Sequence, residues 1–536
     1  MCDLLSPSVA DSFPSILSHY GSRASHRIDN SMPLGLYISV PFCRTKCSYC
    51  NFASDVFSKS AYENYVARLL DEIANSRRLA SDLGCALEES ADSIYLGGGT
   101  PSILDAAQLL RIFAAVRDQF AVTPDAEITV ECAPGTLTPA LIETLLQCGV
   151  NRVSLGVQSF VDREAQSVGR LHKRTTVLEE IACLREAGLG NINIDLIAGL
   201  PHQTAESWAF SVSETIATGV PHVSVYMLEV DQDSRLGREL IAGGARYHAH
   251  LVPDDDATAD FYQQACEMLT RAGIAQYEIS NFARVAPQPR GDELQIDNEL
   301  QSNKSRHNLK YWMRQPYLGF GVDAHSMLEL VEGRAPSRAR PERSRRVQAE
   351  RSSAAARGHS NSGLALAADG IEANRHQAVR FGTPDSLDAY MNRAPHTVTP
   401  VSAQAAIEES FFLGLRLNRG IDLVRLRKEF SAEFRSADFL NMNCHPDAEL
   451  VEGEGPAVCR HPAKSVGSLS PSRPTVGRDA IAAWESAIKQ CVHDGLLEQQ
   501  GATVRLTARG RLLSNEVFAR FLAEETKVGT GHVNSR

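Results

Sequence analysis

Three cysteines stand in the segment PFCRTKCSYCNF, as Cys43, Cys47 and Cys50, directly after an apolar run. The spacing is CxxxCxxC. A loop leaving the C-terminal end of a strand can bring three thiolates around one metal centre, and thiolates suit zinc and iron–sulfur clusters. A four-iron cluster usually takes four cysteine ligands, so three would leave one iron open to a substrate. Zinc held by three Cys and one His is the competing chemistry, but no His lies near these cysteines in the sequence. The next apolar run ends in Gly97-Gly98-Gly99-Thr100-Pro101, a turn that lets bare backbone approach a ligand or simply makes a tight connection.

The other nine cysteines (Cys2, Cys85, Cys132, Cys148, Cys183, Cys266, Cys444, Cys459 and Cys491) are scattered singly and read as small buried or incidental residues. The N-terminus shows neither a basic region nor a long apolar core, so a cytoplasmic location is expected, with thiols reduced. The formal net charge of −11 argues against a dedicated nucleic-acid surface. No run of about 18 apolar residues is present to span a membrane.

The elements that must position these residues recur along the chain. Strand signals run through LYISVP (36–41), SIYLGG (93–98), EITVEC (127–132), RVSLGVQ (152–158), NINIDLIAG (191–199) and HVSVYMLE (222–229). Helix-like segments lie between them. One is expected to begin at Ser60 with Glu63 completing a capping box, and to carry a stripe of Tyr62, Val66, Leu69, Leu70 and Ile73. Alternating strands and helices predict an α/β fold with a parallel sheet and right-handed crossovers. Several strands alternate instead of reading as continuous apolar runs. Asn191, Asn193 and Asp195 oppose Ile192, Ile194 and Leu196, and Thr129 with Glu131 opposes Ile128 with Val130. With helices over the apolar faces, the polar faces would line the lumen of a partial, open barrel that holds a polar ligand.

The expected organisation is a tail at 1–31 (Met1 or Met32 being the start), a barrel with an extension over 32–332, and an Arg/Ser-rich disordered insertion at 333–378. A small winged-helix-like domain follows over 379–525, interrupted by a second insertion at 440–477, with a tail at 526–536. Cys444, His445, Cys459 and His461 in the second insertion lack the CxxC pairs of a zinc site.

CxxxCxYC after the first strand resembles the signature of the radical S-adenosylmethionine (SAM) superfamily. The ordered set YISVPFC, GGGTPS, VECAPGT, LGVQSF, GRLH, IDLIAGLP, VYMLE, YEISNFAR and SRHNLKYW resembles its coproporphyrinogen III dehydrogenase family, and within it the HemW-type haem chaperones. The match runs from about 35 to 326 and resumes weakly at LGLRLNRGIDL and in the C-terminal domain. The resemblance implies a partial (β/α)6 TIM-like barrel carrying a 4Fe-4S cluster on Cys43, Cys47 and Cys50. It implies SAM contacts at Tyr37, Gly98, Gly99, Thr100, Glu131, Gln158, Arg170 and Asp195, with Arg170 on the methionine carboxylate and Glu131, Gln158 and Asp195 on the ribose.

Within that family the dehydrogenase has a further Cys two positions after the third, where this chain has Asn51 and Phe52 after Cys50. His307-Asn308-Leu309-Lys310-Tyr311-Trp312 matches the HNxxYW motif of the chaperone branch. It makes His307 the expected haem ligand, with Tyr311 and Trp312 stacked on the porphyrin; a hydrogen-bonded structural histidine is the other reading. His325 is a second candidate. The implied function is a radical SAM haem chaperone that passes haem to apo-haemoproteins such as membrane-bound respiratory cytochromes, its cluster served by an electron donor. Oxygen-independent oxidation of coproporphyrinogen III to protoporphyrinogen IX is the alternative.

Overall fold

The computed structural model describes residues 32–229, 231–232, 234–284, 303–331, 378–430 and 478–522. The expected tails and both expected insertions fall almost wholly outside these residues, as do Cys2, Cys444 and Cys459.

Six strands, β1 (Leu34–Val40), β2 (Ser90–Gly98), β3 (Ala121–Cys132), β4 (Arg152–Gln158), β5 (Ile192–Ala198) and β6 (His222–Met227), pair in parallel in sequence order. Parallel neighbours need helical crossovers. These are supplied by α1 (Lys59–Ala74), α2 (Ala106–Gln119), α3 (Pro139–Gln147), α4 (Arg174–Glu186) and α5 (Ala205–Thr218). The sheet does not close on itself. Beyond β6 it continues into β8 (Asn281–Arg284) and β7 (Ile274–Gln276), which follow α6 (Asp255–Arg271). Beyond β1 it continues through β9 (Tyr317–Phe320), β10 (His325–Glu329), β11 (Ala378–Gly382) and β12 (Thr397–Val401), giving twelve strands among the described residues. The open (β/α)6 architecture expected from the pattern is therefore present, lengthened at both edges. The expected domain boundary at residue 379 falls inside β11, whose pairing with β10 carries the sheet across it.

The alternation in the strands sorts the faces. Ile192, Ile194, Leu196, Val153 and Leu155 pack outward under the helices with no exposure, each contributing ~1.5–3 kcal/mol of burial. Thr129, Ser154 and Asn193 point the other way and are also buried, in a polar lumen. The α1 stripe is buried at Tyr62, Val66, Leu69 and Ile73, but the helix starts at Lys59, after Ser58, and the expected capping box does not form. Glu63 instead reaches across to Arg111 on α2 at 2.5 Å, because a guanidinium is a better partner than a single N–H.

A three-stranded sheet, β13 (Ile421–Asp422), β14 (Leu497–Gln500) and β15 (Thr503–Leu506) in the order β13-β15-β14, joins five helices. They are α8 (Ala403–Gly414), α9 (Leu423–Glu429), α10 (Arg478–His493), α11 (Ala508–Leu512) and α12 (Ser514–Ala519). Residues 497–500 form β14, since Gly495 in a left-handed turn (φ 69°) ends α10 and the chain returns as a hairpin. Phe411, Trp484 and Phe521 anchor this second core.

Candidate functional site

The cysteine loop emerges from β1 and is held chiefly by backbone groups. Cys43 N–H donates to the Asp55 carbonyl (3.0 Å), Asp55 N–H to Pro41 (3.1 Å) and Ser48 N–H to Val168 (3.0 Å). Lys46 ties the loop to itself through the carbonyls of Phe52 (2.9 Å) and Ser54 (2.6 Å). Thr45 donates to Gly169 (3.0 Å), and Arg235 to the Lys46 carbonyl. The thiols of Cys43, Cys47 and Cys50 are all unbridged, and burial raises the pKa of Cys43 and Cys50. Among the described residues no three His, Cys, Asp or Glu side chains stand in a geometry that would share one metal ion. A mononuclear zinc site needs that convergence; an iron–sulfur cluster does not, because each thiolate takes a different iron.

The glycine turn lies directly under this loop. Gly99 N–H donates to Val40 (2.8 Å) and Thr100 N–H to Phe42 (2.7 Å). A Cβ on Gly99 would meet the Phe42 carbonyl at 2.6 Å, and one on Gly98, at φ 100°, the Ser39 hydroxyl at 2.9 Å. Both positions therefore need glycine. The Thr100 hydroxyl stands 3.7 Å from the Cys43 sulfur.

Arg170 is drawn to the same place. Its guanidinium donates to the Cys47 sulfur at 3.6 Å and to the Gly156 carbonyl. Gln158, at the end of β4, has φ 69°, an uncommon backbone state for a non-glycine residue. Its Oε1 is buried without a partner among the described residues, as is Thr129 Oγ1. Such atoms mark positions where a polar ligand would complete the bonding. Deeper in the lumen, Glu131 accepts from the Tyr95 hydroxyl (2.8 Å), and burial followed by the Asp195 charge pushes its pKa up to about 7. Asp195 accepts from Ser154 (2.9 Å) and Asn193 (2.7 Å), and burial raises its pKa too. The Tyr37 ring lies 6.2 Å from Tyr95, and burial likewise raises its pKa. All the residues expected to contact SAM thus face one end or the interior of one lumen. Its two carboxylates are positioned for hydroxyl donors, and its guanidinium and glycine backbone stand beside the thiols. The set fits a cluster with an amino-acid-bearing nucleoside next to it.

His307, for which a haem ligand and a hydrogen-bonded structural histidine are the two readings, lies apart from the cysteine loop. It lies on α7 (Arg306–Trp312), which plugs the opposite end of the lumen, against Gly35 and Ser93 near the starts of β1 and β2. Its Nδ1 pairs with Ser93 Oγ (3.0 Å) and its Nε2 with the Tyr311 hydroxyl (2.8 Å). The ring stacks on Tyr95 at 5.3 Å, and burial pulls its pKa down to about 3. Both ring nitrogens thus have hydrogen-bond partners. Tyr311, expected against a porphyrin, instead packs edge-on against Tyr317 at 4.6 Å. His325 sits exposed at the head of β10, on the cysteine side, 3.8 Å from Asp323.

The sequence reading missed the polar residues that support the lumen. His222 bridges Asn193 (2.6 Å) and Tyr277 (2.9 Å), while Glu127 accepts from the first backbone N–H groups of α7 (3.1 Å each). Their signal was the polar face of each strand; their partners come from distant segments. A polar cavity of about 20 Å³, room for about one water, remains between Tyr95, Arg152, Asp195 and Tyr226.

Residues 37–212 match the Radical SAM superfamily. Over 303 residues, 56% of this chain and 72% of the relative, the chain is 32% identical to "Heme chaperone HemW" of Escherichia coli strain K12. Over 406 residues it is also 32% identical to the protein of that name from Lactococcus lactis subsp. lactis strain IL1403, covering 75% of this chain and 86% of the relative. Among solved structures, coproporphyrinogen III oxidase (HemN) of Escherichia coli, a radical SAM enzyme, aligns with a TM-score of 0.62 at 20% identity over 92% of this chain and 90% of that one. At that identity the likeness concerns the fold.

Proposed function

Because this chain belongs to the HemW family of the radical SAM superfamily, we propose that it is a haem carrier that holds a 4Fe-4S cluster and SAM and hands haem to apo-haemoproteins, among them respiratory cytochromes. The observation that carries this reading is the family membership taken with the three-thiol loop. Where the dehydrogenase has a further Cys, this chain has Asn51 and Phe52, and the Asn51 amide binds Asp231.

Cys43, Cys47 and Cys50 would hold three irons, and the cluster, when bound, supplies the electron that cleaves SAM. The chain's own residues do the rest. Arg170 keeps a positive charge beside the thiolates, and its remaining N–H groups pair with the amino-acid carboxylate. Bare backbone at Gly98 and Gly99 admits the amino group, and Glu131, Gln158 and Asp195 accept from the ribose. Burial excludes water from the acceptors and strengthens each bond. The reading does not depend on His307, whose nitrogens are both engaged.

The test is anaerobic reconstitution of the cluster, addition of haem, desalting and a Soret spectrum, with a parallel assay for coproporphyrinogen III turnover. About one haem retained per chain, transferable to an apo-cytochrome, is the expected result. Conversion of coproporphyrinogen III to protoporphyrinogen IX without haem retention would replace this reading with the oxidase.

A further inference from the structure

Two guanidiniums meet at Cys47, the middle thiol of the loop. Arg170 donates to its sulfur at 3.6 Å, while Arg235 donates to its carbonyl at 3.5 Å and to the carbonyl of Lys46. Cys43, by contrast, has the neutral hydroxyls of Ser54 and Thr100 beside its sulfur, both at 3.7 Å.

Arg235 lies 188 residues further along the chain and opens the short helix Arg235–Ile241. That helix is fastened to the cysteine loop at two further points. Leu236 N–H donates to the Ser48 carbonyl at 2.7 Å, and the Asn51 amide binds Asp231. The Tyr247 ring lies 5.6 Å from the Arg235 guanidinium. Tyr247 and His248 are both in the left-handed region, at φ 55° and 59°. Such strain persists only where the surroundings hold it, and here it sets an aromatic face against a cation.

The partners of Arg235 among the described residues are carbonyls and a ring, not a carboxylate, and its Nε is buried without a hydrogen-bond partner. A neutral amide could donate to the same carbonyls without the cost of desolvating a charge. The charge itself therefore has a use. Adding an electron to a cluster on three thiolates adds negative charge, which a fixed cation close by stabilises. Local charge and hydrogen bonding are what set the potential of such clusters.

We propose that Arg235 is a positioning residue of the cluster loop, a second fixed positive charge on Cys47 that, with Arg170, favours the reduced cluster. The proposal rests on the cluster reading and adds a residue outside the three-cysteine motif that adjusts it.

The test is anaerobic reconstitution of the full-length protein and titration with titanium citrate, the reduced cluster being read by electron paramagnetic resonance. Wild type is compared with three variants. Arg235→Gln keeps a donor but no charge, Arg235→Lys keeps the charge without the fork, and Asn51→Ala cuts a neutral tie between the same two segments. At the wild-type midpoint, the reduced-to-oxidised ratio is expected to fall about tenfold in Arg235→Gln, a one-electron midpoint lower by about 59 mV. It should stay within about twofold of wild type in Arg235→Lys and Asn51→Ala. A wild-type midpoint in Arg235→Gln overturns the proposal, and so does an equal fall in Asn51→Ala, which would make loosening of the loop the cause. If Arg235→Gln takes up no iron, Arg235→Lys decides, a wild-type midpoint supporting the proposal and a lowered one overturning it. Failure of wild type to take up iron overturns the cluster reading, and the proposal with it.

Discussion

Replacing Glu131 with Gln tests whether the lumen is built for a ligand at the expense of its own stability. Burial and the Asp195 charge raise the Glu131 pKa from 4.5 to about 7. The folded state therefore binds this proton more tightly than the unfolded state does. Stability from that proton is present in full below pH 4.5 and is lost as pH rises through 7. A shift of that size corresponds to about 3 kcal/mol at neutral pH and above, and relaxation around the charge brings the working figure nearer to about 2 kcal/mol. In Glu131→Gln the penalty is gone, although the amide leaves one of the Tyr95 and Gly98 donors without an acceptor, a fixed cost of about 1 kcal/mol. That fixed cost does not vary with pH. The assay is anaerobic denaturant unfolding of cluster-free, reduced protein between pH 4.5 and 8. The stability of the variant relative to wild type should climb by about 2 kcal/mol up to pH 7 and then level off, while SAM binding falls. A difference that stays flat with pH would refute the placement of a desolvated carboxylate at this point.

Three further outcomes follow from the same geometry. Arg170→Lys cannot reach both the Cys47 sulfur and the Gly156 carbonyl, so SAM should bind about tenfold or more weakly by calorimetry with iron content retained. Gly99→Ala drives a methyl into the Phe42 carbonyl at 2.6 Å. Iron bound after reconstitution should drop well below wild type, and an unchanged iron assay would count against the turn's role in bracing the loop. His307→Gln removes a buried imidazole whose pKa is depressed to about 3 by burial. Because the unfolded chain protonates this group below about pH 6.5, wild type should lose stability as pH falls from 6.5 toward 3, and the variant should lose less over that window in acid melts. A variant as acid-sensitive as wild type would contradict the buried neutral state.

Much of the barrel was legible because its signals are local. Asn193 and Asp195 alternate with Ile192 and Ile194, and this fixed both the strand and the polarity of the lumen before any contact was known. The cysteine spacing and the glycine turn were legible for the same reason. What stayed hidden depends on partners far along the chain. Ser60 and Glu63 look like a capping box, but Arg111, 48 residues away, takes the carboxylate. His307 reads as an available ligand until Ser93, 214 residues earlier, is seen on its Nδ1. The strand at 378–382 has no helix or turn pattern that would assign it to the barrel's sheet; only pairing with β10 does so.

The unclosed sheet has a consequence for self-association. A closed barrel has no edge strands, whereas the open sheet has, among the described residues, two terminal strands of the kind that can template another chain. Here one terminal strand is β7, three residues long, and the other is β12, TVTPV, in which Pro400 removes a donor from the row. Both ends of the sheet are thus poor surfaces for strand addition. Among the described residues, an open barrel therefore ends in strands that are short or interrupted by proline.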